Sequence, residues 1–151
     1  VIGLLQRVSR ACVRVRGESV AGIEKGLLVF VGVQRNDGKL EADRLLERIL
    51  TYRVFADDEG RMNCSVTDKA GALLFVPQFT LAADTRKGTR PGFSAAAGPE
   101  QGRKWFEYLV GQALCKHENV ASGQFGANMQ VGLVNDGPVT FWLEVRPDVR
   151  T

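Results

Sequence analysis

An α+β fold is predicted from three features of this 151-residue chain. Strand-like apolar runs open it, two segments with helical spacing are set among further strands, and two more strand runs close it. That order suits a mainly antiparallel sheet curled against or between two amphipathic helices. A doubly wound nucleotide-binding fold is disfavoured. It needs regular strand–helix alternation and a glycine-rich turn after the first strand, and neither GxGxxG nor a GKS or GKT loop occurs.

The elements follow in order. Residues 2–15 are rich in β-branched side chains and end in alternation, Val13 and Val15 on one face, Arg14 and Arg16 on the other. "RGES" (16–19) is a turn, "VAGI" a short strand, and "GLLVFVGVQ" (26–34) a buried central strand. Asn36 or Asp37 is placed to cap a helix whose apolar positions Ala42, Leu45, Leu46, Ile49 and Leu50 recur at helical spacing. "YRVF" (52–55) reads as a strand ended by the turn "ADDEGRMN", and "ALLFVPQFTL" (72–81) as a buried strand interrupted by Pro77. Residues 84–98 form a loop with Gly88, Pro91, Gly92 and Gly98. Pro99 then suits the first turn of a second helix, with Trp105, Leu109 and Ala113 along one line and Phe106, Val110 and Leu114 along the next. "NMQVGLVN" and "PVTFWLEV" are the closing strands.

No repeat, low-complexity tract or linker divides the sequence, so one domain is expected over 1–151. The 44% hydrophobic and 25% charged content is that of a globular protein. Twenty Lys and Arg against 17 Asp and Glu give a net charge of +3. A general nucleic-acid coat is not expected at that charge, although a local basic patch is compatible with it. Cys12, Cys64 and Cys115 are odd in number and widely spaced, which suits a reducing cytosol and neither a disulfide framework nor a metal site. The start of the chain lacks a signal-type apolar core, and the longest apolar run, 26–33, is too short to cross a bilayer, so a soluble cytoplasmic protein without membrane association is expected.

The lone histidine, His117, sits in the charged tail of the second helix. There the helix dipole tolerates it, and a bland role is favoured over a catalytic one. A histidine-ligated metal is disfavoured on the same count, and no cofactor is expected. Asp57, Asp58 and Glu59 share a solvated turn. Two other segments place polar residues at the ends of apolar strands. In "FVPQFTLAAD" (75–84), Gln78 and Thr80 share one strand face by period two. In "NDGPVT", Pro138 follows the turn residue Gly137, and a Gly-Pro bond is one that can be cis. Physics alone favours an edge strand for the first and a hairpin corner for the second, with a functional site as the other reading of each.

Together, "PQFTL" and "NDGPVT" resemble the two signatures of the D-aminoacyl-tRNA deacylases, the D-Tyr-tRNA(Tyr) deacylase family: a Ser-Gln strand motif ending Thr-Leu, and Asn-x-Gly-Pro-x-Thr. The likeness runs from "LLQRVSRACVRV" through "GLLVFVGV", "YRVFADDEGRMN" and "QFTLAADTRKGTRPGFSAAA" to "NDGPVTFWLEV". It implies a barrel-like sheet flanked by two helices, a homodimer with active sites at the interface, and hydrolysis of the ester between a D-amino acid and tRNA. It also implies that Gly137 and Pro138 of one subunit reach the other's pocket as a chiral filter. Such a filter excludes L side chains without gripping D ones, so glycyl-tRNA is expected as a second substrate.

Gln78, Phe79 and Thr80 are the implied catalytic segment. Backbone N–H groups around Gln78 and Phe79 would bind the oxyanion, Thr80 would orient carbonyl or water, and the 2′-OH of the RNA would assist attack. Thr80 as nucleophile is the other arrangement, and it lacks an evident activating partner. The resemblance further puts Phe125 and Met129 beside the terminal adenine and Arg7 at the interface. Arg86, Lys87 and Arg90, with Arg103 and Lys104 beyond, become candidates for acceptor-stem phosphates. One position departs from the family: Pro77 stands where Ser is usual. A paralogous branch that edits L-alanine from mischarged tRNA shares Pro-Gln, and that branch and a non-catalytic RNA-binding module are the alternatives.

Overall fold

The computed structural model describes residues 1–148, so the last three residues of the expected domain lie outside it. Its organising element is β1 (Ile2–Val15). On one edge β1 pairs with β8 (Gln130–Glu144) from end to end, Ile2 opposite Glu144 and Arg14 opposite Gln130. Its other edge is divided. Ile2–Val8 pair with β3 (Gly26–Gly32), and Ala11–Val15 pair with β2 (Glu18–Ile23). These three ladders are antiparallel, as the sequence suggests.

Beyond β3 the sheet changes sense. β6 (Ala72–Pro77) lies parallel to β3, and β7 (Val120–Ser122) parallel to β6. Parallel neighbours need crossovers, and helix α1 (Lys39–Thr51) and helix α2 (Pro99–Lys116) lie in the two that are required. β4 (Phe55–Ala56) and β5 (Met62–Cys64) form a separate ribbon.

β3 and β6 are apolar throughout because both their faces are covered. Leu27, Val29, Val31, Leu73 and Phe75 meet Leu45, Leu46 and Ile49 of α1 and Phe106, Leu109 and Ala113 of α2. Leu28, Leu74 and Val76 turn the other way, into a second core with Val8, Ala11 and Val13. β2 reaches β6 and β7 across that second core, so the sheet curls toward closure. The barrel-like sheet with two helices is therefore present. No helix among the described residues is long and apolar enough to cross a membrane.

Several local expectations are corrected. Helix α1 is capped at Gly38, whose N–H donates to Glu41 Oε2 at 2.7 Å, while Asp37 accepts from Gln34 N–H instead of capping. Residues 52–55 are not a strand, because α1 runs to Thr51 and only Phe55 and Ala56 pair. In α2 the buried stripe is Gly102, Phe106, Leu109 and Ala113, which crosses the two expected lines and leaves Leu114 exposed. Strand β6 stops at Pro77, and the two closing strands are one.

The join of β3 to β6 is so close that a Cβ on Gly26 would lie 1.9 Å from the Ala72 carbonyl oxygen. Both backbones are committed to ladders there and cannot give way. Gly26→Ala is expected to cost about 3 kcal/mol or more, read as a lowered urea midpoint at unchanged slope.

Candidate active site

The first sequence-predicted segment is a turn and not a strand. Pro77 still pairs with Val31, but it cannot donate, and the ladder ends with it. Gln78 N–H donates to the Val31 carbonyl (2.8 Å), and a 3-10 turn, Phe79–Ala82, follows. Gln78 and Thr80 therefore do not share a strand face. They meet directly instead, the Gln78 side-chain amide donating to the Thr80 hydroxyl. The turn rests on the end of β3, where a Cβ on Gly32 would meet Gln78 O at 3.1 Å and Leu81 Cβ at 3.0 Å.

This geometry sorts the available chemistry. Gln78 N–H is already bonded, so it is not an oxyanion donor. Phe79 and Thr80 precede the turn's first bond, from Leu81 N–H to the Gln78 carbonyl (3.2 Å), and like all leading N–H groups they have no acceptor within the turn. Thr80 contacts an amide, which is not a base, so that contact does not activate the hydroxyl as a nucleophile.

The second segment lies inside β8. Asn135 opposes Val8 and Thr140 opposes Gln6, so residues 136–139 have only Arg7 to face. The surplus leaves the sheet as an excursion, and the hairpin corner expected at Asn135–Pro138 is absent because both flanks stay paired to β1. The Gly137–Pro138 peptide is cis, and both residues are exposed. Gly137 has φ +149°, and a Cβ there would come within 2.6 Å of Val139 Cγ2, so glycine is required.

Two side chains shape the excursion. Asn135 stands in for a strand partner, its Oδ1 accepting from Val139 N–H (2.8 Å) and its amide donating to the Val139 carbonyl (3.3 Å) and Thr140 Oγ1 (3.0 Å). Arg7 donates to the Asp136 carbonyl at 2.9 Å and to the Val54 carbonyl at 2.8 Å, tying the excursion to the segment after α1.

Beside the 3-10 turn opens a cavity of about 500 Å³. Phe79, Phe93, Phe106 and Phe125 supply its aromatic walls, and Arg35 is the one charged residue lining it among those described. Phe125 is held from behind by Arg103, whose guanidinium lies 5.1 Å from the ring centroid. Met129 does not line this cavity. It packs with the second core, near Gly123, and its sulfur accepts from Gln124 N–H. Arg86 and Lys87 line a separate pocket with Asp84, Arg90, Gly92 and Ser94. Arg86 grips Asp84 through two bonds of 2.9 and 2.8 Å, which hold that carboxyl well below the usual range. Lys104 instead lies over Trp105, 4.8 Å from the centroid.

His117 ends α2 and its Nε2 lies 2.6 Å from the Gly71 carbonyl, which can only accept, so that nitrogen carries the proton and the role is structural. Sequence reasoning missed Phe93, Arg35 and Phe106 as cavity walls. Phe93 alone left a signal, an isolated aromatic in a loop of Gly, Pro and polar residues.

The family model described as D-Tyr-tRNA(Tyr) deacylase matches residues 4–144. A D-aminoacyl-tRNA deacylase of Thioalkalivibrio sulfidiphilus is 61% identical over 147 residues, covering 97% of this chain and 99% of that protein. One of Nitrosococcus oceani is 58% identical over 151 residues, covering 100% and 97%. Among solved structures, the c-Myc DNA Unwinding Element Binding Protein superposes with TM-score 0.93 at 37% identity, over 97% of this chain and 100% of that one. A probable eukaryotic D-amino acid tRNA deacylase superposes at 0.73 with 16% identity, over 95% and 98%, a likeness of fold.

Asn135 makes two hydrogen bonds to Val139 of the unpaired excursion and a third to Thr140, where pairing with β1 resumes. Asn135→Ala is expected to lower stability by about 1–3 kcal/mol in chemical denaturation. Asn135→Asp, which keeps the acceptor for Val139 N–H, should recover part of that loss.

Proposed function

This chain belongs to the D-Tyr-tRNA(Tyr) deacylase family and is a hydrolase of ester bonds, and we propose that it removes D-amino acids from tRNA as a proofreading step of translation in the cytoplasm. One observation carries the reading. Phe79 is both the head of the 3-10 turn and a wall of the aromatic cavity. An ester carbonyl at the turn and a terminal adenine in the cavity would then be neighbours, as they are at the 3′ end of an aminoacylated tRNA.

The residues divide the work as follows. Phe79 and Thr80 N–H groups receive the charge that develops on the carbonyl oxygen when water attacks. Thr80 and Gln78 orient the carbonyl or the water, and the vicinal 2′-OH of the ribose assists. Phe125 stacks on the adenine. Met129, packed in the second core, acts on the base only through the backbone of 124–129. Arg86, Lys87 and Arg90 approach RNA phosphate, and salt should weaken that contact.

Chirality is read by the excursion of a second subunit. Among the described residues β8 pairs with β1 alone, and it exposes Val134 and Trp142. An open apolar edge of that kind suits a symmetric interface. Across it, the carbonyls of Gly137 and Pro138 would stand against the substrate's α-carbon, leaving room for hydrogen and none for an L side chain. Arg7, bonded to the Asp136 carbonyl, and Asn135, bonded to Val139, hold the residues on either side of that pair. Glycine passes the same filter, so glycyl-tRNA is a second substrate.

Purified protein should release D-tyrosine from D-tyrosyl-tRNA rapidly and leave L-tyrosyl-tRNA at its background rate. Equal background release from both would end the reading, and rapid release of L-alanine from mischarged tRNA would favour the Pro-Gln branch. Trp142→Lys is expected to shift the particle mass from twice 16.5 kDa to 16.5 kDa in sedimentation, with deacylation lost in parallel. A monomeric wild type would remove the shared pocket.

A further inference from the structure

The strip Gly92–Ala96 is a wall with a different chemistry on each side. It is pinned twice: Asp84 and Gly92 exchange bonds of 2.7 and 2.9 Å, and Ala96 bridges to Gln34. Phe93 lines the aromatic cavity of about 500 Å³, whereas Gly92 and Ser94 on either side of it line the basic pocket of about 460 Å³. The two concavities are therefore adjacent and held in fixed relation.

At the rim stand two aromatic rings that folding did not bury. Phe93 is 40% exposed and Phe79 58%, with centroids 5.2 Å apart and planes tilted by 48°. A tilted contact leaves faces of both rings open. Solvent-exposed phenylalanines in contact, rimmed by charge, are a common mark of a binding surface. The basic pocket beside them sets three cations, Arg86, Lys87 and Arg90, against one carboxylate. Arg86 is already engaged with that carboxylate, and Lys87 and Arg90 have no carboxylate partner among the described residues. Open π-faces beside uncommitted cations complement a base joined to a phosphate.

We propose that Phe79 and Phe93, with Lys87 and Arg90, form a subsite for the penultimate nucleotide of the RNA 3′ end. Its base stacks on the open rings, and its phosphate lies in the basic pocket. The inference rests on the reading that the terminal adenine occupies the aromatic cavity. Stacking on two phenylalanine rings reads no base edge, so the subsite recognises a single-stranded dinucleotide step and tolerates any base there. A paired 3′ end, whose bases are stacked on each other, is refused.

Calorimetric titration of the intact protein with three probes tests this. They are adenosine 5′-monophosphate, a 5′-phosphorylated cytidine–adenosine dinucleotide, and the same dinucleotide with an abasic cytidine position. The dinucleotide should bind about 10- to 100-fold more tightly than the mononucleotide, and loss of the base should remove about 5- to 100-fold of that gain. Lys87→Ala with Arg90→Ala should weaken both dinucleotides and flatten their salt dependence. Phe93→Leu, which keeps the wall apolar, should lower the ratio of dinucleotide to mononucleotide affinity. If the mononucleotide binds and the second nucleotide adds nothing, or the abasic probe binds as well as the intact one, the subsite is overturned alone. If neither mononucleotide nor dinucleotide binds, the placement of adenine in the cavity falls with it.

Discussion

A strand has only two edges, and β1 gives one of them to β8 while dividing the other between β3 and β2. The rest of the molecule depends on that division. The ladders of β1 are interrupted where its partners change, and β2 reaches β6 and β7, so the sheet turns in on itself. Val8, Ala11 and Val13 then face Leu28, Leu74 and Val76 inside the curl. Outside it, β3 and β6 offer an apolar surface to the two helices. One strand thus sets two cores, and neither could form from the other's contacts.

The candidate site arises where this regular pairing stops. β6 runs out at Pro77, and the chain tightens into the 3-10 turn that carries Gln78–Thr80. β8 keeps its pairing on both flanks and expels residues 136–139 between them. In each case a proline, with no N–H to give, stands at the break. Backbone groups freed from a ladder are the only ones that can serve a substrate, which suits a site with few side chains able to exchange protons.

Periodicity made the helices and the major strands legible, because Ala42 to Ile49 and Leu27 to Val31 report burial along a single element. It failed at boundaries decided elsewhere. The end of β6 depends on the 3-10 turn that follows it, where Leu81 N–H bonds back to the Gln78 carbonyl after Val31 has taken the ladder's last N–H. The unity of β8 depends on Val8 and Gln6, more than 120 residues away in the chain and holding both flanks of what locally reads as a turn. Phe125 was picked out by family likeness, since nothing in "GQFGANM" distinguishes a cavity wall from core. Met129 in the same stretch faces another core. Cavity walls drawn from Arg35, Phe93, Phe106 and Phe125 have no common period, and a sequence pattern cannot assemble them.

The guanidinium of Arg7 is a rigid planar fork, and its two bonded carbonyls, on Asp136 and Val54, belong to segments that do not otherwise share a ladder. The excursion is consequently registered to the end of α1 as well as to its own strand. Position at such a joint is set by the packing of an entire helix, and so it inherits that helix's rigidity. Slow breathing of α1 against the sheet, on the timescale of amide exchange, would move the tip of the excursion with it. A segment outside the regular ladder thereby acquires the precision of the core.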